Sequence, residues 1–286
     1  MGTVWELDFY SRPILDEKGK KIWELLICES PIGVTSQIDS LFRYAQYCPS
    51  TQVNSNWLKV AIAEAIAQAP HPPDKIRFFR QAMNNMIIKA CDEVGISAQL
   101  SLRTFALNLW LQQRMQEVYP EHPGYQPGVA AAVAFAPTNP QPLPDALIGE
   151  KWQFVTLEAS TLAEMDDWEI DFGEAFPLNL AQLEPTMPVP GLLIFSSRAK
   201  ALAAWMSGLE LACVKFEREP TARLLLETGI DDRWILAPLS TTQTQAEAEG
   251  FEATKQKARR IHFLAVQSNP QSETFAGFWL LQEVTN

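Results

Sequence analysis

The spacing of apolar residues switches between two periods along the first 119 residues, and this alternation constrains the fold most. Apolar and polar residues alternate through Val4–Arg12, which predicts a strand. Turn-forming residues at 16–20 lead into a second apolar stretch, Lys21–Cys28, so the two strands should form a hairpin. From Asn54 apolar residues recur at helical spacing until Pro70 stops the pattern. Strand and helix patterns then alternate, which predicts the order β-β-β-α-β-α-β-α for residues 1–119.

This order of elements resembles the ribonuclease H-like fold. The third strand is the least determined part, because Leu41–Tyr47 fits a strand while Gln37–Tyr44 also fits a short helix. The analogy is one of topology, and a shared topology does not carry a shared function. It predicts an α/β scaffold for the N-terminal part of the chain and no particular activity.

Prolines concentrate between residues 119 and 145 and divide the chain. The prolines in this stretch are Pro120, Pro123, Pro127, Pro137, Pro140, Pro142 and Pro144. Such a density is typical of a linker or an irregular connection. We therefore predict an N-terminal α/β domain at 1–119, a Pro-rich linker at 120–146 and a C-terminal α/β domain at 147–286. Within the linker, the apolar run Val129–Phe135 is predicted to pack as a strand or a docking segment.

The C-terminal part combines strand patterns with helical stretches. The apolar run Gly191–Phe195 predicts a buried strand, and Ile261–Gln267 and Phe275–Gln282 predict two more strands near the end. A long helix is predicted to begin at Thr241 or Thr242. The whole chain is thus expected to be an α/β protein whose sheets are mixed, of the α+β kind.

The charge of the chain is acidic and unevenly distributed. The net charge is −11 and the isoelectric point is about 4.8, which argues against a nucleic-acid binder with a broadly basic surface. Residues 1–119 hold 12 basic and 12 acidic side chains, residues 120–250 hold 7 and 19, and residues 251–286 hold 4 and 3. The charge balance is therefore compatible with a phosphate-binding surface at either end of the chain and argues against one in the middle. The acidic stretch Glu158–Glu174, which contains no Lys or Arg, is predicted to be a solvated loop.

The motifs of the common enzyme classes are absent from the sequence. It has no glycine-rich dinucleotide-binding motif, no P-loop and no Cys-x-x-Cys pair. The four cysteines lie in apolar surroundings and are predicted to be buried free thiols, which fits a reducing compartment. The three histidines lack the paired spacing of a zinc site. We therefore expect no catalytic residues, no metal and no cofactor, and predict a protein that is not an enzyme.

No stretch of the sequence predicts a membrane span or a targeting leader. Apolar runs such as Val129–Phe135 are far shorter than the ~20 residues needed to cross a bilayer. The N-terminus enters a strand pattern at Val4 without the basic and apolar regions of a signal peptide. The expected location is the cytoplasm, with no membrane insertion.

A metal-dependent nuclease is the enzymatic alternative for a ribonuclease H-like scaffold. Such a nuclease needs clustered carboxylates that hold two Mg²⁺ ions. Asp8 on the first strand has the right type and place, but Glu64 lies round the first helix from its apolar stripe and is expected to face solvent. The fourth strand ends in Phe79-Arg80-Gln81, where another acid would be needed. The set is incomplete, so the sequence favours a non-catalytic scaffold with a structural Asp8.

Two clusters of basic residues are candidates for phosphate contact. They are Lys75, Arg77 and Arg80, on or beside the predicted fourth strand, and Lys255, Lys257, Arg259 and Arg260, at the end of the long helix. The helix dipole alone also favours cations at a helix C-terminus, so a purely structural interpretation of the second cluster stays open. In the functional interpretation, His262 and nearby aromatic residues stack on bases.

Three parts of the sequence resemble one protein family. They are Trp5–Pro13 with Lys21–Leu26, then Ala253–Gln267, and last Phe275–Leu281. Together they look like the Tab-two/Atab-two family of cyanobacteria and chloroplasts, and the resemblance spans the whole chain. The residues that match the family motifs are Trp5, Asp8, Arg12, Trp23, Lys255, His262, Trp279, Leu280 and Leu281.

The resemblance implies an RNA-binding protein that activates translation of photosystem I reaction-centre messages. Its ligand would be an A/U-rich, single-stranded 5′ untranslated region and not DNA, and its source a cyanobacterium. We expect the RNA contacts among the two basic clusters, together with Arg12 and His262. The terminal Trp279–Leu281 segment is open to two interpretations, as core or as binding surface.

A protein-binding assembly factor for photosystem I is the alternative from another class. Its contact surfaces would be the acidic middle and the Pro-rich linker. Its partners would be the ribosome or photosystem I assembly proteins, and their association would survive ribonuclease treatment. An RNA-binding factor would instead bind A/U-rich single strands in a salt-dependent manner.

Overall fold

A computed structural model of the protein describes residues 2–127, 138–178 and 182–284. These residues form two compact units: the first contains residues 2–31 and 37–127, and the second contains 32–36, 138–178 and 182–284. The α/β class with mixed sheets that the sequence predicts is confirmed. The linker at 120–146 remains a prediction, and the apolar run Val129–Phe135 within it lies outside the described residues.

The first unit is built on a five-stranded mixed sheet. Its elements are β1 (Val4–Leu15), β2 (Lys21–Glu29), β3 (Arg43–Cys48), α1 (Ser55–Gln68), β4 (Lys75–Phe78), α2 (Asn84–Asp92), β5 (Ser97–Leu100) and α3 (Phe105–Gln113). The strands lie in the order β3-β2-β1-β4-β5. The hairpin strands and β3 are antiparallel, whereas β4 and β5 run parallel to β1. The sequence of elements is the predicted one, and the topology is compatible with a ribonuclease H-like arrangement.

Local signals set the ends of the first two helices. Asn54 caps α1, because its Oδ1 accepts a hydrogen bond from the Trp57 amide at 2.9 Å. Gly95 follows α2 with a φ of 78°, the left-handed conformation that commonly ends helices at glycine. Capping depends on a few neighbouring residues, so the sequence could locate both features.

The two faces of this sheet differ in polarity. One face packs against α1 and α2 in a core that includes Trp5, Leu7 and Phe9. The other face lies beneath α3, whose Leu107 amide donates a hydrogen bond to the Glu6 carboxylate at 2.7 Å. Both faces of β1 are therefore buried. The charged residues on the second face must find partners inside the protein.

The second unit contains two sheets. Its elements are β6 (Gln141–Pro142), β7 (Lys151–Glu158), α4 (Ala159–Leu162), β8 (Ile170–Glu174), β9 (Pro188–Phe195), α5 (Ala199–Ser207), β10 (Leu211–Glu217), β11 (Arg223–Thr228), β12 (Asp232–Pro238), α6 (Thr242–Lys257), β13 (Ile261–Gln267) and β14 (Phe275–Gln282). One sheet has the order β10-β11-β12-β6 and the other β7-β9-β13-β14-β8. Every residue of β13 is buried, as expected for a central strand. Within the described residues, no helix has the length and apolar character needed to cross a membrane.

The prediction of a solvated loop at Glu158–Glu174 is wrong for part of that stretch. It contains the short helix α4 and the edge strand β8, which pairs in parallel with β14. In β8 the partly buried Ile170 and Phe172 flank the exposed Asp171. A period of two was therefore present among the acidic residues, and the density of charge concealed it.

Gly191 is required by the close pairing of β9 with β13. It lies opposite Phe263, and a Cβ at this position would be 2.1 Å from a carbon of the phenyl ring. Changing Gly191 to alanine is expected to lower the free energy of unfolding by about 1–3 kcal/mol, because the packed core has to shift. Urea denaturation measures the effect. Gly250→Ala is the control, because a Cβ there meets no atom within 4 Å, and equal midpoints for the two variants would contradict the prediction.

Candidate nucleic-acid interface

The exposed part of the C-terminal basic cluster lies in the turn between α6 and β13. The helix ends at Lys257 and the strand begins at Ile261. Lys257 and Arg259 are exposed, and Arg260 is half-buried. We call Lys257, Arg259 and Arg260 the basic turn.

The backbone of the basic turn is left-handed at two consecutive residues. The φ angle is 53° at Arg259 and 65° at Arg260, a region that residues other than glycine rarely occupy. The Arg260 amide donates to the Lys255 carbonyl at 2.7 Å, which holds this conformation. The guanidinium of Arg259 donates to Gln182 Oε1 at 2.9 Å, and that of Arg260 donates to Gln256 Oε1 at 3.3 Å. The turn thus presents its cations in a defined arrangement.

Lys255, which was predicted to contact RNA, is buried with no exposed surface. Its Nζ lies 2.8 Å from carboxylate oxygens of both Glu252 and Glu283. The same nitrogen donates to the Val214 carbonyl at 3.0 Å. The ammonium therefore has its partners inside the protein, and this geometry does not support phosphate contact by Lys255.

His262, predicted to stack on bases, is also buried with no exposed surface. Its Nε2 accepts a hydrogen bond from the Val214 amide at 2.8 Å, which places the proton on Nδ1, 3.1 Å from the Arg260 carbonyl. Burial, and secondly the charge of Lys255, hold the pKa of His262 well below its ordinary value. The ring is neutral and packs edge-on against Phe251, with a centroid distance of 5.8 Å. Its geometry does not support base stacking.

The side chains of this region complete the outer edge of β10. As an edge strand, β10 has outward backbone groups that no neighbouring strand can satisfy. His262 accepts from the Val214 amide, Lys255 donates to the Val214 carbonyl, and Glu252 accepts from the Phe216 amide at 2.8 Å. These side chains substitute for a missing strand and tie α6 and β13 to the other sheet.

The arginines predicted to contact RNA from the first unit are buried as well. Arg12, Arg77 and Arg80 are 3%, 2% and 7% exposed. The Asp8 carboxylate accepts a hydrogen bond from Arg12 Nη1 at 2.8 Å and a second from Arg80 Nε. Lys75, the remaining member of that cluster, is half-buried. This burial does not support contact of Arg12, Arg77 or Arg80 with a phosphate at the surface.

Asp8 is an ion-paired carboxylate and not a metal ligand in this geometry. Burial raises its pKa, but Arg12 and Arg80 outweigh burial and hold the pKa below its ordinary value. Arg80 follows β4, where a two-metal nuclease needs a second carboxylate. A side-chain cation therefore neutralises Asp8 at this place. In the part of the chain that the structure describes, no group of three or more His, Cys, Asp and Glu could hold a metal ion.

Glu24 is the second buried acid of this network, and sequence reasoning missed it. Its carboxylate accepts hydrogen bonds from Arg12 Nε at 3.0 Å and Tyr119 Oη at 2.6 Å, and it pairs with Arg114. Part of the signal was visible, because Glu24 interrupts an apolar strand pattern. Arg114 and Tyr119 follow α3, and no local pattern connects them with β2.

Most residues that match the family motifs lie in the two cores. Trp5, Trp279, Leu280 and Leu281 are at most 3% exposed. Trp23 is half-buried and packs on the ring of Phe9 at a centroid distance of 5.5 Å. Of the two interpretations of Trp279–Leu281, the structure supports the core.

The cysteines are buried free thiols, as predicted. Burial raises the pKa of the Cys48 thiol to about 11 and that of Cys91 to about 12. It also raises the pKa of Cys28 and of Cys213 well above the ordinary value. Thiols of this kind are largely protonated and weakly reactive at neutral pH.

Comparison with known proteins gives a consistent assignment along the chain. Residues 4–114 match a family model described as RNA-binding protein Tab2/Atab2 N terminal. Residues 130–282 match the model of the RNA-binding protein Tab2/Atab2, C-terminal domain. The class of protein is therefore an RNA-binding protein with an α/β fold. The chain belongs to the Tab2/Atab2 family, which confirms the resemblance found in its sequence.

Two plant proteins are similar to the chain over nearly all of its length. The protein is 39% identical over 287 residues to "Protein TAB2 homolog, chloroplastic" of Zea mays, which covers 98% of this chain and 71% of that protein. It is 41% identical over 284 residues to the Arabidopsis thaliana protein of the same name, with 97% and 74% covered. Among solved structures, a simian T-cell lymphotropic virus intasome in complex with the PP2A regulatory subunit B56 gamma matches 55% of this chain and 63% of that chain. The identity of 11% and the TM-score of 0.30 are too low to support any argument.

Proposed function

We propose that this protein binds A/U-rich single-stranded RNA in the 5′ untranslated region of photosystem I reaction-centre messages and activates their translation without catalysing a reaction. Membership of an RNA-binding family supports RNA as the ligand. The two relatives are named as chloroplastic proteins, which is in keeping with a photosynthetic role. We place the site of action in the cytoplasm of a cyanobacterium, a reducing compartment that suits four free thiols.

The basic turn is the feature of the structure that best supports a contact with RNA. The chain has a net charge of −11, so attraction to phosphates has to come from a local group of cations. Lys257, Arg259 and Arg260 provide such a group at one end of α6, next to one another and reachable from solvent. The backbone is left-handed at both Arg259 and Arg260, and backbone outliers of this kind often accompany function.

The proposal is tested by fluorescence anisotropy with a labelled A/U-rich single strand and a G/C-rich strand of equal length. We expect tighter binding of the A/U-rich strand, with an affinity that falls as salt rises. A reporter that carries the same leader then measures translation in a cell-free extract. Absence of binding at micromolar protein would overturn the proposal and favour a protein-binding assembly factor.

Neutralising the basic turn is expected to weaken RNA binding and reduce its salt dependence. The variant combines Lys257→Gln with Arg259→Asn and Arg260→Asn, because asparagine tolerates the left-handed conformation. Each lost phosphate contact lowers the slope of log K against log salt by about 0.7 for a single strand, so three contacts lower it by about 2. The free energy of unfolding should change by no more than about 0.5 kcal/mol per surface substitution.

A matched control removes the same charge elsewhere. Lys18, Lys20 and Lys21 are exposed at the β1–β2 hairpin, and their replacement by glutamine also removes three cations. The hairpin variant should bind RNA with the wild-type salt slope. Equal losses in both variants would show that only net charge matters, and the basic turn would then have no specific role.

A further inference from the structure

The edge strand β3 presents tyrosines on its two faces in opposite electrostatic surroundings. Tyr44 points toward α1, and its hydroxyl oxygen lies within hydrogen-bond distance of Glu64 Oε2, at 3.1 Å, and of Gln46 Oε1, at 2.9 Å. Tyr47 points to the other face, where it is the cross-strand neighbour of Glu24. Tyr47 is 40% exposed and is the one exposed Phe, Trp or Tyr side chain among residues 2–127, 138–178 and 182–284.

A second ring flanks Tyr47 in a fixed orientation. The imidazole of His122 lies edge-on to the phenol, with a centroid distance of 6.2 Å and an interplanar angle of 66°. The Gly124 amide donates to His122 Nδ1 at 3.2 Å, which holds the ring in place. The exposed Val118 belongs to the same segment of the chain. The two rings form a small aromatic platform at the surface of the first unit.

A positive charge, the guanidinium of Arg114, lies in the same region as this platform. Arg114 packs over the rings of Trp110 and Tyr119 at 5.6 Å and 5.4 Å, and it pairs with Glu24. Its Nε is buried and has no hydrogen-bond partner in the described part of the chain. Glu24 is the cross-strand neighbour of Tyr47 and pairs with Arg114, which brings the three side chains together. Burial raises the pKa of the Tyr47 phenol, Glu24 raises it further, and Arg114 offsets part of the increase.

Arg114 belongs to a network of buried charged side chains on the sheet face that carries Tyr47. The carboxylates of Asp8 and Glu24 face three guanidiniums, those of Arg12, Arg80 and Arg114. Of these arginines, Arg114 has the most exposed side chain, at 12%. The Arg114 guanidinium pairs with Glu24, the cross-strand neighbour of Tyr47, whereas Tyr44 on the opposite face is next to a carboxylate.

We propose that Tyr47 and His122 form a stacking site for one unpaired base of single-stranded RNA, with Arg114 supplying the positive charge behind it. Aromatic rings next to cations are the usual platform for unpaired bases, because every base has a stacking face. Stacking depends less on net charge than phosphate contact does, which suits an acidic protein. The inference rests on the proposed function for the identity of the ligand, and it adds a contact in the first unit that is separate from the basic turn.

The test compares the two tyrosines of β3 with a labelled uridine-rich single strand. Tyr47→Ala is expected to weaken binding by about 5- to 100-fold, the usual loss for one stacked base. Tyr47→Phe and Tyr47→Trp should bind like the wild type, because both keep a stacking ring. Tyr44→Ala, on the same strand beside Glu64, should leave the affinity unchanged. Thermal denaturation of each variant confirms that the chain is folded.

A crosslinking experiment locates the contact independently. RNA that carries 5-iodouridine is irradiated with the wild-type protein, and we expect the crosslinked peptide to contain Tyr47 or His122. Wild-type affinity of a folded Tyr47→Ala variant, together with a loss in the basic-turn variant, would overturn the stacking site and leave the proposed function standing. Absence of RNA binding by the wild type would overturn both.

Discussion

Replacing Asp8 with alanine is expected to lower the stability of the first unit by about 3–5 kcal/mol, the usual cost of removing one partner from a buried ion pair. Asp8 has no exposed surface, and it pairs with both Arg12 and Arg80. Without the carboxylate, the buried Arg80 guanidinium loses its pairing with Asp8, and Arg12 keeps only its pair with Glu24. Urea denaturation gives the size of the loss, and hydrogen–deuterium exchange of the β1 peptide shows that it arises in this unit.

The fall of the free energy of unfolding at acid pH provides a second test of the ion pairs of Asp8. The folded-state pKa of Asp8 lies below its ordinary value of 3.8. Its contribution is therefore fully present above the unfolded-state pKa and is lost as the pH falls through the folded-state pKa. An Asp8→Asn variant should lose less stability than the wild type when the pH is lowered from 5 to 2. Parallel curves for the two proteins would contradict the assignment.

The control for Asp8 is another acid of the same unit at the surface. Glu64 is exposed and accepts hydrogen bonds from Tyr44 and Gln46, so Glu64→Ala should change the stability by about 0.5 kcal/mol or less. The nuclease alternative gives the opposite pattern for Asp8. It requires Mg²⁺-dependent cleavage of RNA that Asp8→Ala abolishes while the stability stays near that of the wild type.

Helices and strands could be predicted from the sequence wherever neighbouring residues alone determine them. The strands Ile261–Gln267 and Phe275–Gln282 were predicted with the ends that the structure shows, because each is a continuous apolar run between turn residues. Gly95 and Asn54 marked helix ends for the same reason. The strand β8 was missed, since only Ile170, Asp171 and Phe172 alternate in burial and the strand lies within a run of acids.

The site residues were harder to place, because burial depends on contacts between distant segments. Arg12 lies on the polar side of an alternating strand, which usually faces water, but here α3 contacts that face of the sheet. His262 could have been recognised as buried, since it lies in a continuous apolar run, and such runs indicate a central strand. The hydrogen bond between His262 and the amide of Val214, 48 residues away, could not be recognised from the sequence.

The burial of Lys255 was readable from helical spacing. Lys255 follows Ala248 and Phe251 at intervals of three and four residues, so the three side chains share the buried stripe of α6. Lys257 lies about 200° further round the helix, at 100° per residue, and is exposed. Grouping the basic residues by their proximity in sequence concealed this difference. The face of the helix separates the buried Lys255 from the exposed Lys257.

Replacing Lys255 with alanine is therefore expected to lower the stability of the second unit by about 3–5 kcal/mol, whereas Lys257→Ala should change it by about 0.5 kcal/mol or less. The loss of Lys255 leaves Glu283 without its closest cation and the Val214 carbonyl without its donor. A buried carbonyl without a partner alone costs about 1–3 kcal/mol. Urea denaturation, with hydrogen–deuterium exchange of the β10 peptide, measures both variants.

RNA affinity measured on the same two proteins separates the roles of the lysines. At a temperature where both variants are folded, Lys255→Ala should bind RNA like the wild type. The reason is that the Lys255 ammonium of the wild type is enclosed by Glu252, Glu283 and Val214. Lys257→Ala should bind more weakly and with a smaller salt slope. If Lys255→Ala kept its stability but lost RNA affinity, the contradicting result would mean that in the wild type the Lys255 ammonium leaves the carboxylates and reaches a phosphate. The edge of β10 would then be a site that opens when RNA binds, and not a fixed part of the core.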